Sequence, residues 1–255
     1  MMRFVCFLEF KNDNVWLPTW YRIGFASLIK EALHKGDPSH RLFELYYANQ
    51  KKNIPKPFTF AIKLNIEKID KGTPNKLKLK HKNISLYVSS SNYEFIIALY
   101  NGLLEIKQYP IYDNKVDFVR CQLLPERRFD KPYAVFNIFS PVVVRRVGDD
   151  KKGVGYAHVN DDDYTQMLAH SIKSQCKFLS ADYNLDINNI SINTQAAFPV
   201  KIPHYNKNNT QKPEIIVATD GCLKIEAPQE VLKLIYDIGL GARRSQGFGM
   251  LEVVE

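Results

Sequence analysis

One order of strand-like and helix-like runs, β-α-β-β-α-β, can be read twice along this chain, and it confines the fold more than any other feature. Arg3 to Phe10, rich in Val, Phe and Leu, reads as an opening strand, and Asn12 to Pro18 as a turn. From Trp20 to His34 the apolar residues Ile23, Ala26, Leu28, Ile29, Ala32 and Leu33 recur near the helical period. Gly36-Asp37-Pro38 ends that helix, and Ser39 can cap a second short one over Leu42 to Ala48. A basic connector, Lys51 to Pro57, leads to strands over Phe58 to Ile69 and Leu77 to Ser90, joined at Gly72-Thr73-Pro74-Asn75. A helix over Asn92 to Leu104 and extended chain over Ile106 to Leu124 complete the first round.

The proline-bounded segment Pro125 to Pro132 separates this round from the next. Ala134 to Arg146 reads as a strand, Asn160 to Ser180 as a helix, and Ile190 to Ile202 and Glu214 to Ile225 as strands. Pro228 to Ile238 is a helix with proline in its first turn, and Met250 to Val254 a last strand. The expected fold is therefore α+β, two tandem ferredoxin-like (βαββαβ) domains over residues 1–124 and 133–255. The halves share the order of elements and no obvious residue identity. At 255 residues the chain is long enough for two such cores without disulfides or metal staples.

Lys and Arg total 35 and Asp and Glu 27, so 35 − 27 gives a net charge of +8, an excess that suits a nucleic-acid or anionic-surface partner. Cys6, Cys121, Cys176 and Cys222 show no ligand-like spacing, and the first two and Cys222 lie in apolar strand-like runs, where buried thiols are expected. That scatter fits a reducing cytoplasm. No signal peptide is read at the start, and the most apolar later stretch, Tyr93 to Leu104, is too short for a bilayer span.

The segment Gly239-Leu-Gly-Ala-Arg-Arg-Ser-Gln-Gly-Phe-Gly249 carries four glycines and two arginines in eleven residues. Glycine permits positive φ and close backbone approach. The run can form a concave row of backbone N–H groups flanked by guanidinium groups, which suits a phosphate, or a plain helix-to-strand turn with solvated arginines. It follows a helix and opens a strand, so it is not a dinucleotide fingerprint, and no G-K-[ST] closes it as a Walker loop.

The ending GLGARRSQGFGMLEV resembles the C-terminal glycine-rich signature of the CRISPR repeat-RNA-processing endoribonucleases, the Cas-six type within the RAMP superfamily. Three more segments agree in the family's order: Leu17 to Leu33, Pro55-Lys56-Pro57-Phe58-Thr59-Phe60 and Phe139-Ser140-Pro141-Val142-Val143-Val144-Arg145. The resemblance implies repeat RNA as substrate and cleavage without a metal or other cofactor. In that chemistry the 2′-hydroxyl attacks the adjoining phosphate, leaving 2′,3′-cyclic phosphate and 5′-hydroxyl ends. Such a reaction needs a base, an acid and a cation, roles that His, Tyr and Lys can fill.

The family often carries a histidine just before its K-x-F-T strand, where this chain has Phe43-Glu44-Leu45-Tyr46-Tyr47. The expected catalytic residues are therefore His40, first choice for proton transfer, His34, four residues after Lys30, Tyr47 and the motif residue Lys56. His40 and Tyr47, seven apart, would share a helix face. Lys30 itself falls where some relatives carry a catalytic tyrosine. The expected RNA contacts are Arg145, Arg146, Lys151, Lys152, Gly241, Arg243, Arg244, Ser245, Gln246 and Gly247. His81, His158, His170 and His204 are read as structural or solvated, and Asp161 to Asp163 as carboxylates at a helix N-terminus rather than metal ligands. A non-cleaving RNA-binding subunit of a CRISPR effector complex is the alternative. Association with such a complex, and a homodimer, stay open.

Overall fold

The computed structural model describes residues 2–48, 54–70, 75–147, 153–179, 189–205 and 213–254. Two compact units result, and neither is one continuous stretch of chain. The first comprises Met1–Lys56, Ile62–Pro125 and Pro203–Ile215, and the second Pro57–Ala61, Glu126–Ile202 and Ile216–Glu255.

In the first stretch of chain the strands are β1 (Met2–Phe10), β2 (Trp16–Pro18), β3 (Phe58–Lys63), β4 (Ile66–Asp70), β5 (Lys76–Leu79), β6 (Asn83–Ser90), β7 (Gln108–Ile111) and β8 (Asn114–Leu124). The helices are α1 (Arg22–Gly36), a single turn α2 (Arg41–Phe43) that widens into a π-type turn over Glu44–Ala48, and α3 (Tyr93–Glu105). The main sheet runs β3-β6-β1-β8-β7, with β1 antiparallel to both β6 and β8. Its first four strands stand in the ferredoxin-like order. Phe4, Cys6, Leu8 and Phe10 alternate along β1 and are all buried. Helices α1 and α3 touch through glycines: a Cβ on Gly36 would lie 1.8 Å from the Ala98 carbonyl oxygen, and one on Gly102 1.7 Å from that of Ala32. Only glycine lets the two backbones approach so closely.

Two long strands expected from the sequence are each broken in two. The expected Phe58–Ile69 and Leu77–Ser90 strands bend after β3 and before β6, so that β4 and β5 leave the main sheet and join β2 in a separate three-stranded one. The exposure of every β4 residue gives the reason, since no apolar face ties that stretch to the core. Cys6 and Cys121 correct the expectation of separate buried thiols. The β1–β8 register sets them opposite one another with Cα atoms 4.3 Å apart, and they form a disulfide.

The remaining chain forms β9 (Tyr133–Ile138), β10 (Val144–Val147), β11 (Gly153–Ala157), α4 (Tyr164–Leu179), β12 (Ser191–Asn193), β13 (Ala197–His204), β14 (Glu214–Glu226), α5 (Gln229–Ile238) and β15 (Leu251–Val253). The sheet order is β12-β14-β9-β15, with β13 also on β14, again the ferredoxin-like arrangement. The expected single strand from Ala134 to Arg146 breaks at Ser140-Pro141, where the Phe139 and Ser140 amides both donate to the Met250 carbonyl. Proline offers the ladder no donor there. Strands β10 and β11 then form their own hairpin.

Candidate active site and nucleic-acid interface

Helix α1 carries Lys30 and His34 one turn apart, and the helical segment after it carries Phe43 and Tyr47 at the same spacing. The joint between the two is built by Asp37. Its carboxylate accepts from the Leu42 amide at 2.7 Å, the Phe43 amide at 3.3 Å and the Ser39 hydroxyl at 2.7 Å. Burial works to raise its pKa, but these hydrogen bonds outweigh it and hold the carboxyl below its usual value. Asp37, rather than Ser39 alone, thus anchors the start of α2, while Ser39 receives the Arg41 amide at 3.4 Å.

The side chains form a row. His40 and His34 have ring centroids 4.7 Å apart, His34 meets the edge of Phe43 at 4.6 Å, and Phe43 stacks on Tyr47 at 5.8 Å. At the far end Lys56 Nζ lies 3.6 Å from the Tyr47 ring centroid and Lys30 Nζ 5.9 Å from it. Burial first, and the charge of Lys30 second, push the Lys56 ammonium down to about 8. Burial pushes the Tyr47 hydroxyl upward, so the phenol keeps its proton and can donate it to a hydrogen bond.

The structure gathers His34, His40, Tyr47 and Lys56 into this row, but not as the sequence argument placed them. His40 precedes the helix in a left-handed conformation, φ 53°, so it shares no helix face with Tyr47. It packs on His34 instead. Lys30 and Phe43 were not among the expected catalytic residues, although their four-residue spacings to His34 and Tyr47 were legible. Tyr46 turns away to meet Phe95 edge-on at 5.9 Å.

In the second unit the glycine-rich segment is held from several sides. Gly239, Gly241, Gly247 and Gly249 all have positive φ, as does Arg243 at 57°. A Cβ on Gly249 would sit 2.0 Å from the Leu240 carbonyl oxygen, and one on Gly241 2.4 Å from that of Val143. The amides of Leu240, Ala242, Gln246, Gly247 and Gly249 each donate to a nearby carbonyl, so these five hold the loop in shape rather than pointing at a ligand. The Thr59 hydroxyl donates to the Phe248 carbonyl at 2.9 Å, and Gln175 Nε2 to the Gly241 carbonyl at 3.0 Å. Ser245 and Gln246 lie half-buried in the single 3-10 turn between them.

The arginines divide. Arg244 is buried, donates to the Ile238 carbonyl at 3.2 Å, and is pushed down to about 10 by burial. Its place is inside the loop. Arg243 is half-exposed and donates to the Tyr156 hydroxyl at 2.5 Å and to Gln246 at 3.2 Å. Arg146 is claimed by carboxylates, Asp163 at 2.6 and 2.8 Å and Asp161 at 2.9 Å, and these hydrogen bonds raise its pKa. The carboxylates expected to serve a helix dipole therefore hold an arginine expected to serve RNA. Arg145 is exposed on β10, opposite Tyr156. Lys151 and Lys152 lie outside the described residues.

Two ferredoxin-like sheets, the second with a glycine-rich loop between its last helix and last strand, define the class of protein. Residues 124–253, half of the chain, match the family model described as CRISPR associated protein Cas6, C-terminal, and the chain belongs to that family. It is 24% identical over 263 aligned positions to the CRISPR-associated endoribonuclease Cas6 1 of Methanocaldococcus jannaschii, covering 97% of this chain and 92% of that one. Its fold matches a solved structure of a Cas6-related gene product from Pyrococcus furiosus with a TM-score of 0.82 at 23% identity, over 100% of this chain and 98% of that one. A RAMP protein binding different RNA substrates matches equally well, with a TM-score of 0.82 at 20% identity over 100% of both chains. Among the described residues no helix is long and apolar enough to cross a membrane.

Proposed function

We propose that this protein is a metal-independent endoribonuclease that cuts CRISPR repeat RNA by 2′-hydroxyl attack, giving 2′,3′-cyclic phosphate and 5′-hydroxyl ends. The observation that carries this reading is the row from His40 to Lys56: it gathers proton-transfer groups, a phenol donor and two ammonium groups along one aromatic seam. Histidine moves protons near neutral pH, and lysine stabilises the crowded phosphate. Membership of the Cas6 family and the likeness to the Methanocaldococcus jannaschii endoribonuclease support the substrate. We assign His34 and His40 to proton transfer, Tyr47 to donation, Lys56 to charge stabilisation, and Arg145 and Arg243 to RNA contact. The test is incubation with repeat RNA in EDTA, followed by analysis of the product ends. Cleavage that stops with chelator and returns with a divalent ion overturns metal independence.

A second reading, an RNA-binding subunit that does not cleave, rests on the spacing of the row. The two histidines occupy one end and Lys56 the other, with Phe43 and Tyr47 between them. Tight repeat binding with no cleavage in single-turnover conditions selects that reading.

A further inference from the structure

The second sheet has a face that the proposed cleavage chemistry leaves unused. Along β9, Ala134, Phe136 and Ile138 are at most 5% exposed, so Tyr133, Val135 and Asn137 lie on the opposite face. Residues directly opposite in an antiparallel ladder share a face, which sets Glu226 beside Tyr133 and Lys224 beside Val135 on that same side. Two ammonium groups converge on the Tyr133 ring: Lys224 Nζ is 4.8 Å from its centroid and Lys131 Nζ 5.1 Å. Lys131 also donates to the Tyr133 hydroxyl at 3.1 Å, and Lys224 pairs with Glu226 at 2.9 Å. The ring borders an open cleft of about 790 Å³, lined also by Ile190, Ser191 and Pro228.

We infer that this corner of the second sheet is a stacking platform for an unpaired nucleotide of the bound RNA. The inference rests on the reading of the chain as an RNA binder and adds a site to it. A half-exposed phenol ring offers a π-face to any base, and two ammonium groups beside it suit the flanking phosphates. Ser191 and the Glu226 carboxylate border the cleft as hydrogen-bonding groups for a base edge. The cleft's volume lies within the range of small-ligand sites. A duplex keeps its base faces stacked inside, so the occupant is a single-stranded stretch.

The experiment compares two probes on the full chain, a repeat transcript and a short oligouridine that cannot pair. Tyr133→Ala is expected to weaken oligouridine binding at least about fivefold, the low end of one stacked base, while Tyr133→Phe keeps the parent affinity. Lys131→Ala and Lys224→Ala should each lower the log–log salt slope by about 0.7. A 4-thiouridine probe should crosslink to the peptide bearing Tyr133. Undiminished oligouridine binding by a Tyr133→Ala chain that melts like the parent overturns the platform, as does a parent chain that ignores oligouridine while binding the repeat. Tyr133-dependent oligouridine binding without any repeat binding upholds the platform and sinks the repeat-RNA reading instead.

Discussion

The row around Tyr47 and the loop around Arg244 are both basic and both rich in special residues, yet they use their cations differently. In the first, Lys30 and Lys56 are held over aromatic faces, whose negative π-clouds attract an ammonium. In the second, the Arg244 guanidinium is spent on the main-chain carbonyl of Ile238, the last residue of α5, and Arg146 on two aspartates. A cation's role is set by what it packs against, and a row of letters does not state that. The glycines follow the same division: their positive φ values bring carbonyls and amides of neighbouring segments together, and the loop's shape is the product.

The largest expected effect separates catalysis from binding within the row. Replacing His34 and His40 together with alanine should slow single-turnover cleavage by about 10²–10⁴-fold, the usual worth of a proton-transfer group. Lys56→Ala should cost about 10²–10³-fold, as loss of one charge-stabilising donor does. Repeat affinity should change little in either variant. A doubly substituted chain that cleaves at the parent rate removes the histidines from the chemistry and leaves Tyr47, Lys30 and Lys56 to carry it.

A pH profile sharpens the same point. An ammonium that stabilises charge must keep its proton, and Lys56 loses it near pH 8. Cleavage should therefore fall about tenfold per pH unit above that value. Lys30→Met removes a neighbouring positive charge and should move the fall to higher pH. Stability runs the other way. The folded-state pKa lies below the unfolded value of 10.5, so between about 8 and 10.5 the unfolded chain binds more protons and the fold gains stability as pH rises. A rate that climbs through pH 8 would assign Lys56 to the base instead.

Much of the architecture was legible because hydrophobic period and punctuation agree with it. The apolar residues of α1 at Leu28, Ile29, Ala32 and Leu33 are all buried, and Asn92 caps α3 by accepting from the Phe95 amide at 2.9 Å. Less legible were features that depend on partners distant in sequence. The Cys6–Cys121 disulfide joins residues 115 apart, and the Gly36–Gly102 contact joins two helices at a spacing no local pattern records. At the candidate site, motif and spacing picked out segments that the fold brings together. They could not show that His40 stands outside its helix, because a left-handed residue there is imposed by Asp37 gripping the next turn. They also could not show which arginine turns inward, because Arg243 and Arg244 are adjacent and chemically alike.

The smallest effect tests that last distinction, and it sets the two neighbours against each other. Arg244→Met keeps the volume but leaves the Ile238 carbonyl without its donor, in a place where the arginine is only 8% exposed. An unpaired buried acceptor costs about 1–3 kcal/mol, which lowers the melting temperature of a chain this size by about 2–4 °C per kcal/mol. Arg243→Ala removes a half-exposed side chain that bonds to Tyr156 and Gln246 and should melt close to the parent. In exchange it should weaken repeat binding and flatten the log–log salt dependence by about one unit, as the loss of one phosphate contact does. The two measurements together decide the division of labour. If Arg244→Met melts like the parent and loses the salt slope while Arg243→Ala does the reverse, the inward arginine reaches RNA after all and the loop opens on binding.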